Sequence, residues 1–196
     1  TSTQKITDQD RLTTGLVGHW PLNEDAAGTA YDLSRNKNDA TSVTGTTVST
    51  GLGGSRARQF DGTDDYIHLG QHDYGIANGN QNAFTITGFA AWESTGDGQG
   101  AVFASATDQV TDGNPPANPP YSLYFGTNGE INAAFQNTNN NAVYVTGSTV
   151  NKGEWVHVAA VYDVDNNELI AYLNGVKDAS LSTTDSIYNL GNQTRP

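Results

Sequence analysis

The sequence contains no cysteine and no methionine, and its 9 lysines and arginines face 21 aspartates and glutamates. Without cysteine there are no disulfides, no thiolate-bound zinc and no cysteine nucleophile. With a net charge of −12, the clustered base that nucleic-acid phosphates require is missing, so nucleic acid is not an expected partner. No apolar stretch approaches the roughly 20 residues needed to span a bilayer, so membrane insertion is not expected either. Strong helix formers are also scarce, since methionine is absent and lysine and glutamate are few.

What is present points to short strands and many turns. The chain has 196 residues, 22 of them glycine, with 35% hydrophobic residues and abundant Asn, Thr and Ser. That length suits one β-rich domain. Residues 1–14 are polar and lack a period, which predicts an arm or linker, with the domain running over 15–196. The chain opens with Thr1 rather than Met, as expected for a processed product or a piece of a larger protein. From residue 15 onward the hydrophobic pattern has period two. Strands are predicted over 15–22, 66–69, 83–93, 100–105, 121–126, 130–136 and 142–147. A last pair, EWVHVAAVYDV and ELIAYLNG, flanks the turn Asp165-Asn166-Asn167. Thr127-Asn128-Gly129 and Asn174-Gly175 are tight-turn signals, because Asn-Gly tolerates the positive φ that such turns need. The Pro-rich stretch 114–120 cannot be a central strand. Many short strands without helical periodicity predict an all-β sandwich or barrel.

Four stretches carry a resemblance to a known family: GLVGHWPLNEDAAGTAYDLSRNKNDAT, QFDGTDDYIHLG, AFTITGFAAW and EWVHVAAVYDVDNNELIAYLNGVK. In order and spacing they resemble the laminin G-like domains of the concanavalin A-like lectin/glucanase superfamily, over most of residues 15–178. The resemblance implies an antiparallel β-sandwich of jelly-roll type, with Trp155 and His157 as fold determinants rather than a reactive pair. Family members usually continue past the equivalent of NLGNQTRP into further strands, the last of which pairs with the first. Here the chain stops at Pro196, apparently lacking those strands. The expectation is a fragment, a neighbouring chain that completes the sheet, or a different closure.

Family members often hold a structural calcium ion between the segment after the first strand and the final strand. The resemblance carries that role to Asn23, Glu24, Asp32, Asn38 and Asp39, with Asp32 foremost. Carboxylates and carbonyls in a turn-rich loop are suitable ligands for a hard ion. The same residues serve equally well as Asx-turn residues, and at this point both readings stand. Asp163-Val164-Asp165-Asn166-Asn167 imitates the start of an EF-hand loop, but Glu168 replaces its glycine and strands flank it, so a hairpin turn explains it better. Asp61, Asp64 and Asp65 crowd one turn and are expected to face water or cap it.

Catalytic signatures do not appear. Glycoside hydrolysis needs two carboxyl groups held together, whereas Glu24, Glu93, Glu130, Glu154 and Glu168 stand alone in the sequence. The histidines lack zinc-binding spacing, and no phosphate-cradling Gly-rich loop with lysine occurs. The chain is therefore expected to be no enzyme. Lectin-like jelly rolls grip ligands at rim loops, here 70–82, 94–99, 106–120 and 137–141, with Tyr74 and Tyr121 as candidate ligand-binding aromatics. Asn192-Gln193-Thr194 is a glycosylation sequon. The expected function is a non-catalytic extracellular or cell-surface recognition or adhesion module that binds glycan or protein. The alternative is a structural or decoration domain of a surface filament, surface layer or virion.

Overall fold

Alternation of apolar and polar residues governs the architecture, in a computed structural model that describes residues 14–70, 83–93, 100–104 and 120–187. Contacts group the chain into two units, residues 1–60 with 65–72, and residues 61–64 with 73–196.

The first unit holds four short strands, β1 (Ser42–Thr44), β2 (Thr47–Thr50), β3 (Arg56–Gln59) and β4 (Tyr66–His68). β1 pairs antiparallel with β4, and β2 with β3. Of these only β4 falls on a stretch predicted as a strand, since its Tyr66 and Ile67 are apolar while β1 to β3 are mostly polar. The strand predicted over 15–22 does not form. Leu22 adopts φ 54°, in the left-handed region that breaks a strand. The segment is held instead by single bonds, such as the Leu33 N–H donating to His19 O at 2.8 Å.

The second unit is a sandwich of two four-stranded antiparallel sheets. Its strands are β5 (Phe84–Ala91), β6 (Gly100–Ala104), β7 (Tyr121–Phe125), β8 (Glu130–Gln136), β9 (Ala142–Thr149), β10 (Trp155–Asp163), β11 (Glu168–Leu173) and β12 (Val176–Ser182). One sheet has the order β12-β11-β10-β5 and the other β6-β7-β8-β9. Alternate residues turn inward: Leu123 and Phe125 from β7, Ile131, Ala133 and Phe135 from β8, Val156, Val158, Ala160 and Tyr162 from β10, Leu169 and Ala171 from β11. These strands fall on the stretches predicted from the period-two pattern. Tyr162 crosses the core with its ring 4.7 Å from Phe135, and its hydroxyl donates to Asp185 O at 2.6 Å. Asp178 on β12 accepts from the Ser148 N–H at 2.5 Å and the Ser148 hydroxyl at 2.7 Å, tying β12 to β9.

The two Asn-Gly turns form as the sequence requires, with Gly129 at φ 86°, Asn174 at φ 51° and Gly175 at φ 80°. Their tolerance to substitution differs. A Cβ at Gly129 would lie 2.8 Å from the Trp92 ring and 3.0 Å from Val150 O, whereas one at Gly175 meets open space. Gly175→Ala is expected to cost about 1 kcal/mol for the backbone conformation alone, and Gly129→Ala roughly 2–3 kcal/mol. Urea midpoints of the two variants check the order.

Among the described residues no helix is long and apolar enough to cross a membrane.

Candidate functional site

Four of the five residues named for calcium are tied into one hydrogen-bonded loop. Asp32 is only 1% exposed. Its Oδ1 accepts the backbone N–H groups of His19 and Ser34, both at 2.8 Å. Its Oδ2 accepts the Ser34 hydroxyl at 2.7 Å and the Asn38 N–H at 2.9 Å. Burial pushes the carboxyl up, but these four donors outweigh it and hold Asp32 below its ordinary value of 3.8. Asp39 Oδ1 accepts the Asp32 N–H at 2.8 Å, and Glu24 Oε1 accepts the Tyr31 N–H at 2.9 Å. The Asn38 carbonyl accepts Trp20 Nε1–H at 2.9 Å. Asn23 is exposed.

Calcium needs six to eight oxygens with lone pairs directed at the ion. Here both Asp32 oxygens, Asp39 Oδ1 and Glu24 Oε1 point at N–H and O–H donors, whose positive ends a cation would have to displace. The residues present do not fit an ion at this place. They fit the Asx-turn reading.

Several other acidic groups are also committed locally, whereas Asp61, Asp64 and Asp65 bring carboxylate oxygens within 4.8 Å of one another at the surface. Asp163 accepts the Asn166 backbone N–H at 3.1 Å and its side-chain amide at 2.8 Å, inside the β10–β11 hairpin. Asp61 accepts the Thr63 N–H at 2.8 Å, an Asx turn. Glu130 binds the Asn128 amide, Glu154 the Asn151 amide and Glu168 the Lys177 ammonium. His157 is bonded to the Thr87 hydroxyl at 2.7 Å and lies edge-on to Phe89, a structural setting.

The rim reading requires one correction. Tyr121 is not a rim aromatic: it is 5% exposed, its ring stacked 6.1 Å from Phe103 and 5.5 Å from Phe84. On β7 it shares the inward side with Leu123 and Phe125, and no ring face is left for a ligand. Tyr74, the loops 71–82, 94–99 and 106–119, and the sequon lie outside the described residues. The remaining rim loop, 137–141, holds itself together. Asn137 Oδ1 accepts the N–H groups of Asn139 and Asn141 at 3.0 Å, and its amide donates to Asp185 at 3.1 Å.

A more coherent surface lies on the side of β7, β8 and β9 turned away from the sandwich core. Sequence reasoning directed at loops missed it. Cross-strand register places Tyr124, Asn132 and Thr146 in one row, and Ser122, Ala134 and Tyr144 in the next. Gln136 continues the β8 line. Tyr144 is 58% exposed and Tyr124 half-buried, while Ser122, Asn132, Ala134 and Gln136 form a buried floor. Ordinary sheet spacings put the two tyrosine backbones about 12 Å apart diagonally across β8. The Asn132 amide is oriented, accepting from the Thr146 hydroxyl at 2.6 Å and donating to Glu130 O at 3.0 Å. Ser122 Oγ is buried without a partner. Burial, and secondarily Tyr144, raise the Tyr124 phenol above its ordinary 10.0, so it stays a neutral hydroxyl at physiological pH. The signal in the sequence was the alternation itself, which turns Ser122, Tyr124, Asn132 and Tyr144 outward from strands whose core-facing residues are apolar.

A family described as the concanavalin A-like lectin/glucanases superfamily, of laminin G type, matches residues 61–195. No curated protein matches the chain. Among solved structures, the binding domain of Paraclostridial Mosquitocidal Protein 1 aligns with TM-score 0.55 and 15% identity, over 86% of this chain and 43% of that one. An S-layer domain-containing protein from Clostridium thermocellum aligns at TM-score 0.44 and 24% identity, over 91% and 78%. The sialidase CBM40 of Ruminococcus gnavus, bound to α2,6-sialyllactose, aligns at 0.39 and 15%, over 57% and 59%. This chain therefore spans less than half the length of the mosquitocidal structure. These likenesses concern the fold.

Proposed function

The chain belongs to the laminin G-like domains of the concanavalin A-like lectin/glucanase superfamily, and from that premise we propose that it is a non-catalytic, surface-exposed or extracellular glycan-binding module. The observation that carries this reading is the outward face of β7–β9. The exposed Tyr144 ring and the half-buried Tyr124 stand on it, over a floor of Ser122, Asn132, Ala134 and Gln136 that is itself buried. Sugars present an apolar ring face to an aromatic and hydroxyls to polar groups, and this face offers the Tyr144 ring with the two tyrosine hydroxyls. The described lysines and arginines lie outside these rows, and the chain's net charge of −12 opposes anionic ligands. Neutral glycans are the fitting class.

A second reading, a structural or decoration domain, draws on the edge strand β12. Among the described residues it pairs on one side only, and it exposes Val176 and Leu181. A neighbouring chain could add a strand there.

Titration calorimetry of the full chain against neutral oligosaccharides selected on a glycan array tests the first reading. Tyr144→Ala and Tyr124→Ala are each expected to weaken binding about tenfold. Phe89→Ala, on the other sheet, is expected to leave it unchanged. If no glycan binds and the chain assembles into an ordered array, the second reading replaces the first.

A further inference from the structure

We infer that the Arg58 guanidinium takes the place of a bound cation in the loop of residues 19–40, so that this loop folds without metal, and that removing the side chain opens a site for a small cation. The inference is independent of ligand binding at the sheet face.

Arg58 stands on β3, opposite Val48 of β2. Its side chain is 1% exposed and reaches into the loop. There Nη2 donates to Glu24 Oε2 at 3.2 Å, to Ala26 O at 2.6 Å and to Thr29 O. One carboxylate and two backbone carbonyls converging on one cationic group are the ligand types a hard cation takes, with water supplying the rest of its six to eight oxygens once the side chain is removed. With the nitrogen removed, three oxygens would face one another around a gap, their negative ends unopposed. The remaining guanidinium nitrogens, Nε and Nη1, are buried without partners. A side chain selected for complete hydrogen bonding would not leave two donors unsatisfied. Of the guanidinium, whose charge is shared by its three nitrogens, the loop therefore uses the Nη2 end. Arg56 makes a useful contrast. Its pair with Asp25 at 2.6 Å is exposed on both sides and lies in water, where such pairs contribute little.

The same contacts account for the commitment of Glu24. One of its oxygens holds the Tyr31 N–H and the other the guanidinium, so this carboxylate joins the β2–β3 hairpin to the loop. The loop acquires a cationic centre that is covalently attached and cannot be chelated.

Thermal unfolding of the full chain, followed by tryptophan fluorescence, tests the inference, because Trp20 is bonded within this loop. Wild type is expected to show the same transition in EDTA and in millimolar calcium chloride. Arg58→Ala is expected to lower Tm by roughly 5–10 °C. Millimolar calcium chloride or guanidinium chloride is expected to restore at least half of that loss, as binding to the folded state alone requires. Arg58→Lys keeps a positive nitrogen and is expected to stay near wild type, whereas Arg58→Met, which keeps volume without charge, is not. A wild-type Tm that falls in EDTA overturns the inference. So does an Arg58→Ala Tm equal to wild type, or one that neither cation raises. If Arg58→Ala does not fold, the Lys and Met variants decide: Met as stable as Lys overturns the inference, and Lys alone near wild type supports it.

Discussion

Phe135→Ala is expected to remove about 3–5 kcal/mol of unfolding free energy, while Phe89→Ala removes close to nothing. Both are phenylalanines in central stretches of strands, and the difference lies in which way each strand turns them. Phe135 is 1% exposed, in the middle of the core cluster and against the Tyr162 ring. Truncation leaves a cavity between two sheets that cannot close on it, since each is held by its own ladder of hydrogen bonds. Phe89 is 59% exposed and touches mainly the edge of His157. Urea unfolding of the two variants measures the contrast. Equal losses would mean that the two sheets do not pack as described.

Asp32→Ala is the second large effect, expected at about 3 kcal/mol for the unit that contains it. The substitution removes few apolar contacts, but it strands four donors that converge on one buried carboxylate, and a buried unpaired donor costs about 1–3 kcal/mol when water cannot reach it. Not all four are sealed from water, which keeps the total below the sum. The pH dependence follows in sign. Asp32 is held below its ordinary 3.8, so its contribution is complete above that value and is lost as the pH falls through the folded value. The stability gap between wild type and Asp32→Asn is therefore expected to be widest at neutral pH and to narrow below about pH 3.8. Fluorescence-monitored unfolding from pH 7 to pH 3 checks this. A gap that does not change with pH would mean that the carboxylate charge is not what the loop uses.

The strand ladder was largely legible in the sequence because period two survives wherever one face is buried. β8 spans the residues predicted for it, and the alternation of β10 and β11 could be read directly. Failures occurred where tertiary geometry overrides local pattern. Residues 15–22 alternate well, yet Leu22 takes a left-handed conformation and no ladder forms there. β1, β2 and β3 are short and mostly polar, so no apolar pattern marks them, whereas β4, just as short, carries Tyr66 and Ile67. The acidic loop illustrates a different limit. The family resemblance singled out Glu24, Asp32 and Asp39, but a resemblance cannot say whether their oxygens face an ion or N–H groups. Arg58, which decides the matter, lies 34 residues from Glu24 and carried no signal of its own. Tyr121 and Tyr124 show how much rests on parity. They are three positions apart on one strand, which sends one ring into the core and the other to the opposite face.

The central claim is that the outward face of β7–β9, and not the hairpin turns, is where ligand contacts the protein. Backbone amide NMR of the isotope-labelled chain, titrated with a neutral oligosaccharide, tests it most directly. The account expects the largest shifts at Ser122, Tyr124, Asn132, Ala134 and Tyr144, with Asn128, Asn166 and Asn174 unmoved. Shifts confined to the turn residues, with the tyrosine rows unchanged at saturation, would contradict it.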